Sequence, residues 1–227
     1  MTARNQLDGI TLASREARPP TTAPVLLEGR ALACQRGERM LFRGLDLTVH
    51  AGELVQIHGP NGSGKTTLLR ILCGLTRPTE GEVRWVAEEP DAAGLEADVH
   101  YVGHLAGVKL ELSPLENLAF VARLRGGRAG ASPRDALARL GLAAFEDEPL
   151  RTLSAGQRRR TALARLLTRV ARLWILDEPF TSLDVEGTAT LVELMDEHVA
   201  RGGAVILTSH QPVRLGDRGP RMIELGR

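Results

Sequence analysis

Residues 59–66 read Gly59-Pro60-Asn61-Gly62-Ser63-Gly64-Lys65-Thr66 and fit the phosphate-binding pattern Gly-x-x-x-x-Gly-Lys-Ser/Thr at every fixed position. Glycine lets a chain turn successive backbone N–H groups inward around an oxyanion, and a helix beginning at the loop's end adds its partial positive charge. Lys65 supplies a compact ammonium for the β- and γ-phosphates of a nucleotide, Thr66 a hydroxyl for Mg2+, and Thr67 lies next along the helix. The flanks agree with this reading. Leu54-Val55-Gln56-Ile57 before the loop is a buried-strand run, and Thr67 to Cys73 after it has helical spacing, stopped by Gly74 and then Pro78.

The cations carry a second signal. Of 29 basic residues only Lys65 and Lys109 are lysine, so a chain that otherwise writes arginine keeps an ammonium in the phosphate loop. A planar guanidinium does not fit the space a point charge fills there.

A matching half lies downstream. The apolar strand Leu173-Trp174-Ile175-Leu176 delivers Asp177 and Glu178 at its end. In nucleotide hydrolases of this class the aspartate holds the metal, and the adjacent glutamate is placed to act as general base on an attacking water. Between the two halves, Leu153-Ser154-Ala155-Gly156-Gln157 puts a serine N-cap and two small residues at a helix start, where an anion can approach backbone.

Around these motifs the chain alternates strands and helices, which predicts an α/β domain with a parallel sheet. Leu45-Asp46-Leu47-Thr48-Val49 alternates as a half-buried strand, and further strands are expected at 172–176 and 204–208. Ser113-Pro114-Leu115-Glu116 has the form of a capping box and Ser132-Pro133 repeats the Ser-Pro start, so about 110–152 reads as a helical insert. Helices are expected after Ser154 and Asp184. Residues 1–24, with Arg18-Pro19-Pro20-Thr21-Thr22-Ala23-Pro24, read as a loose tail.

At 227 residues, 43% hydrophobic and 25% charged, the composition excludes collagen-like, disordered and disulfide-scaffold chains. A net charge of +1 gives no global field for nucleic acid, and none is expected as partner. Cys34 and Cys73 are expected to be reduced thiols. No apolar run approaches the roughly 20 residues needed to span a bilayer, and no secretory signal is apparent, so a cytoplasmic chain is expected, reaching any membrane through a partner.

Leu153–Gln157, in its place before the Asp-Glu strand, resembles the signature of the ATP-binding-cassette (ABC) ATPases, with Ala155 where that family usually has glycine. The extra methyl is tolerable if φ there stays negative. The resemblance runs from about Val25 to His210 and implies the P-loop ABC-ATPase fold over 25–227. That fold has an N-terminal antiparallel β subdomain and a helical insert subdomain at about 105–152. It also implies that Ser182-Leu183-Asp184 is the D-loop, that His210 is the switch histidine, and that ATP with Mg2+ is bound. A nucleotide on Gly59–Thr67 of one subunit would be capped by Ser154, Gly156, Gln157 and Asp184 of another, in a head-to-tail homodimer. Two positions depart from the family. Arg36 stands where an aromatic normally stacks on adenine, and His104 replaces the usual glutamine beside metal and attacking water. Arginine stacks through its plane and histidine hydrogen-bonds water; a loop histidine without catalytic part is the alternative.

Tyr101-Val102-Gly103-His104-Leu105-Ala106-Gly107-Val108-Lys109, continuing through Leu112-Ser113-Pro114-Leu115-Glu116-Asn117-Leu118, is similar to the ATP-binding subunits of the cytochrome c maturation haem exporter, the CcmA family. Gly52–Ile57, Leu173–Phe180 and Ser209-His210-Gln211 carry the same likeness. Lys109 then falls in a family motif, its alternative being one exposed cation. The likeness implies ATP hydrolysis coupled to haem export or to release of a haem-loaded chaperone. It also implies a CcmB-like integral-membrane permease and associated haem-handling membrane proteins as partners, and a peripheral position on the cytoplasmic face of the inner membrane. Val108, Leu110 and Leu112 would take part in docking. No haem is expected on this chain, since its histidines and cysteines form no ligating pattern, and too little follows His210 to build a sensing domain. Rival readings are the ATPase of another importer or exporter, a soluble non-transport ABC ATPase, and an inactive interaction module.

Overall fold

Two sheets of opposite character position everything else in the computed structural model, which describes residues 22–86, 98–104, 107–124 and 128–226. Most of the expected tail, residues 1–21, lies outside these, as do Leu105 and Ala106. The first sheet is antiparallel: β1 (Val25–Arg36) pairs with β2 (Arg39–His50) across a two-residue turn, and β4 (Glu80–Trp85) covers the other edge of β1. The expected alternation holds, with Leu45, Leu47 and Val49 buried and Asp46 exposed. Asp46 also accepts the Ala31 N–H (2.7 Å), fixing a bulge where Ala31 has a φ of 47°.

The second sheet runs β5-β6-β7-β3-β8, formed by β3 (Leu54–His58), β5 (Val99–Val102), β6 (Leu173–Leu176), β7 (Ala204–Thr208) and β8 (Arg221–Glu224), with every pairing parallel. Its central strands are buried on both faces, as crossover-covered parallel strands must be. Successive residues face different cores. Leu173, Ile175, Ala204 and Ile206 pack with the antiparallel sheet and helix α1 (Lys65–Leu72), whereas Trp174, Leu176, Val205 and Leu207 pack with the remaining helices.

Those helices start where the sequence places caps. Before α2 (Pro114–Leu124), the Glu116 carboxylate accepts the Ser113 N–H (2.9 Å) and the Ser113 hydroxyl accepts the Glu116 N–H (3.2 Å). Ser132 caps α3 (Pro133–Arg139), and Ser154 with Gln157 forms a complete capping box on α4 (Ala155–Thr168). Asp184 caps α5 (Val185–Ala200) through the Gly187 N–H. Helix α1 begins two residues before the expected span, at Lys65 itself.

On α5, His198 stacks on Trp174 with ring centroids 4.0 Å apart and planes 8° from parallel. Burial drives its imidazole down to about 4, with Arg201 adding to the effect and the Ala204 and Arg172 backbone opposing it. The unfolded group titrates near 6.5, so above that pH both states are neutral and stability is whole. As pH falls from about 6.5 toward 4 the unfolded chain binds a proton the folded chain refuses, and stability drops by up to ~3 kcal/mol. Chemical denaturation of His198→Phe at about pH 7 and pH 4.5 should show a difference smaller than wild type by roughly 2 kcal/mol; an unchanged difference would remove His198 as the cause.

Candidate active site

The C-terminal ends of β3, β5, β6 and β7 lie along one edge of the parallel sheet, and each is followed by residues the sequence reading singled out. After β3 the chain enters the loop Gly59–Gly64. At Gly59 any Cβ would lie 2.4 Å from the Leu225 carbonyl oxygen and 2.8 Å from Ser63 Oγ, so no other residue fits. Gly64 takes φ 100° and opens α1 with no side-chain cap, leaving the first helical N–H groups free for an anion. Among the described residues the buried Ser63 hydroxyl has no hydrogen-bond partner. Lys65 Nζ donates to the carbonyls of Gly59 (2.7 Å) and Pro60 (3.2 Å), so its ammonium lies across the loop with a donor to spare.

After β6, Asp177 is 1% exposed and both its oxygens are fixed. Oδ2 accepts from Thr66 Oγ1 and Oδ1 from Thr208 Oγ1, each at 2.8 Å. Thr66 and Asp177 thus present adjacent hard oxygens, the donor type of which Mg2+ takes one or two from protein. Glu178 follows in the left-handed region (φ 47°), its N–H donating to Thr208 Oγ1 at 2.9 Å. After β7, His210 Nε2 stands 3.7 Å from Glu178 Oε1, with the imidazole largely exposed and the carboxylate 19% exposed.

A cavity of about 530 Å³ joins these groups. Asn61, Gly62, Gly64, Lys65, Thr66 and Thr67 line it from the loop, Asp177, Glu178, His104 and His210 from the strand ends, and Arg36 from the end of β1. Gly59 and Ser63 support the loop from behind, and Pro60 is exposed beside it. A larger cavity of about 620 Å³ opens beside Trp174 and His198, but no phosphate-loop residue lines it, and chemistry selects the smaller one.

Ser154, Gly156, Gln157 and Asp184 do not line the cavity of their own chain. Ser154 is exposed at the start of α4, and Ala155 adopts a helical conformation, which meets the condition for its extra methyl. At Gly156 a Cβ would sit 2.9 Å from the Ser182 carbonyl, so the turn that opens α4 and the Ser182–Asp184 segment touch through the missing side chain. Besides capping α5, Asp184 pairs with Arg160 at 2.5 Å. Farther along, Asn117 exchanges two hydrogen bonds with the Lys109 backbone, and Lys109 Nζ lies 4.0 Å from the Phe120 ring centroid. Val108 packs against the core while Leu110 stays exposed.

Three contributors escaped the sequence reading. Arg39, paired with Arg36 across the β1–β2 turn, lines the same cavity. Thr208 bridges Asp177 and Glu178, and the buried Gln56 bonds the carbonyls of Ser209 and Gln211 and the Val213 N–H, which fixes the turn that carries His210. The available signal was a polar residue in each of two apolar strands.

The ABC transporter family profile matches residues 42–181. The cytochrome c biogenesis ATP-binding export protein CcmA of Methylococcus capsulatus is 54% identical over 191 residues, covering 83% of this chain and 91% of that protein. Its namesake in Escherichia coli K12 is 50% identical over 202 residues, covering 88% and 96%. Among solved structures, a dimeric ATP-binding cassette in a post-hydrolysis state bound to ADP and Pi superposes with a TM-score of 0.74 at 26% identity, over 88% of this chain and 94% of that one. Among the described residues no helix is long and apolar enough to cross a membrane. A phosphate cradle, a buried metal-type aspartate and a strained glutamate share one cavity in a sequence half identical to these export proteins, and the chain therefore belongs to the ABC transporter ATPases, in the cytochrome c biogenesis export branch.

Proposed function

We propose that this chain works as a head-to-tail pair of ATPase subunits on the cytoplasmic face of the inner membrane. There it would drive a CcmB-like permease for haem export, or for release of a haem-loaded chaperone, in c-type cytochrome assembly. The observation that carries the pairing is the separation within one chain: the phosphate loop, Asp177, Glu178, His104 and His210 meet in the cavity, and the exposed Ser154 turn contributes no residue to its lining. Each chain then holds one half of each of two sites. The haem pathway rests on the CcmA relatives, and their coverage of most of this chain supports it.

Within a site, the loop N–H groups and Lys65 bind the triphosphate, and Arg36 stacks on the base. Thr66 and Asp177 would hold Mg2+, which would supply positive charge to offset that of the phosphates. Glu178 accepts the proton of the attacking water at its carboxylate. His210 orients that carboxylate from its neighbouring position, and His104 hydrogen-bonds the water from the β5 side. The partner's signature turn, Ser154 through Gln157, closes over the γ-phosphate with the N-terminus of α4 and excludes solvent. Residues 104–125 carry the motion of closure to the permease, and the exposed Leu110 and Phe120 favour docking there.

Affinity purification of the Mg-ATP-bound protein from detergent-solubilised membranes should co-isolate a polytopic subunit together with haem-handling proteins. Recovery of the permease of an unrelated importer or exporter in their place would overturn the assignment to cytochrome c biogenesis.

A further inference from the structure

Arg159, the fifth residue of α4, is 4% exposed, and among the described residues it makes no ion pair. Burying a cation without a carboxylate is costly, and burial pulls its pKa down from the usual value. The guanidinium is satisfied instead by five donations to backbone carbonyls. Nε reaches Pro179 (3.2 Å), Nη2 reaches Asp177 (3.0 Å) and Glu178 (2.8 Å), and Nη1 reaches Gly103 (2.7 Å) and His104 (3.3 Å).

Those carbonyls belong to two segments far apart in sequence, and Arg159 sits on a third. One is the turn whose glutamate adopts a φ of 47°, a conformation that a non-glycine residue holds only under constraint from its surroundings. The Glu178 N–H is held by Thr208 and its carbonyl by Arg159, so the strained residue is gripped on both sides. The second segment is the backbone of His104. The third is the helix whose first turn carries Ser154. A lysine offers three donors from one point and a glutamine two, so only the five-donor fork spans all three.

We propose that Arg159 is a positioning residue that couples the two nucleotide sites of the dimer. It ties the helix that touches the partner's nucleotide to the glutamate and histidine that act on this chain's own, so engagement at Ser154 sets the register of Glu178 and His104. The inference rests on the head-to-tail reading above.

The test compares Arg159→Lys, which keeps the charge, and Arg159→Gln, which keeps an amide donor, with the full-length wild-type protein. The readouts are steady-state ATP hydrolysis, binding of a fluorescent ATP analogue, and thermal melting. The expected result is a fall in kcat of at least about tenfold in both variants, with Kd and KM within about twofold of wild type and a Hill coefficient dropping toward one. Wild-type kcat and cooperativity in both variants would overturn the proposal. So would a loss of nucleotide affinity that matches the loss of turnover and comes with a lower melting temperature, since Arg159 would then be a structural brace alone. If Glu178→Gln stays monomeric in ATP, the head-to-tail reading fails, and this coupling with it. If that dimer forms but the wild type shows no cooperativity, or both Arg159 variants match a cooperative wild type, that reading stands and the coupling alone is lost.

Discussion

Glu178→Gln should bind ATP as tightly as wild type, hydrolyse it at least ~100-fold more slowly, and accumulate as a nucleotide-locked dimer. The size of the rate loss follows from removing a positioned general base, which contributes about 10²–10⁴-fold. Glutamine has the same shape, so the φ 47° backbone, the N–H donated to Thr208 and the carbonyl held by Arg159 are all retained. The change is confined to the oxygen that would take the proton. Because the phosphate loop is untouched, binding should persist, and if hydrolysis opens the pair as proposed, the closed dimer should build up. Phosphate release gives the rate, and light scattering with and without ATP gives the assembly state. A mixing control isolates the shared site: Lys65→Ala and Ser154→Arg are each expected to be inactive alone, and mixing them rebuilds one intact composite site and restores hydrolysis. A Glu178→Gln protein that turns over at the wild-type rate would falsify the assignment of the base. One that stays monomeric in ATP, alone and with its membrane partner, would defeat the head-to-tail pair.

What could be read from the residues alone divides along a physical line. Helix starts at Ser113, Ser132 and Ser154 were legible because capping is local: donor and acceptor sit three residues apart and need no knowledge of the fold. The phosphate loop was legible for the same reason, since its glycines serve a backbone path of eight residues. Strands β4, β5 and β8 were not anticipated. β4 is mostly exposed, β5 is four residues long with polar His100 inside it, and β8 has one buried side chain, so none shows clear periodicity. They exist through pairing with strands far along the chain, which is tertiary information.

The same line runs through the site. Asp177 and Glu178 were legible because an apolar strand points at them, but the hydroxyl that joins them comes from Thr208, 31 residues from Asp177. Arg159 stands between Arg158 and Arg160, chemically identical neighbours with different fates. Arg158 bonds the Leu153 carbonyl, Arg160 pairs with Asp184, and Arg159 is buried among carbonyls. Helical phase around α4 separates the three, and that phase acquires meaning only once β5 and β6 are in place. Ser154 and Gly156 present the opposite case, since their pattern is plain in sequence while the site we propose they complete needs a second chain.

Both Lys65→Ala and Lys65→Arg should weaken ATP binding by at least ~100-fold, which is about 2.7 kcal/mol. For alanine the argument is the lost charge beside a triphosphate. For arginine the charge survives and the argument is space. Lys65 is the first residue of α1, and its ammonium turns back over the loop to lie 2.7 Å from the Gly59 carbonyl and 3.2 Å from that of Pro60. A guanidinium is longer and planar, with donors splayed at fixed angles, and does not fold into that bend. Nor can the loop retreat, because it already approaches the chain end so closely that a methyl at Gly59 would sit 2.4 Å from the Leu225 carbonyl. The arginine head would therefore stand in the cavity where the phosphates belong. Titration calorimetry of the two variants against wild type separates the effects: equal losses mean that shape matters as much as charge. If Lys65→Arg bound ATP like wild type, charge alone would suffice, and the chain's choice of lysine here, against 27 arginines elsewhere, would have no steric cause.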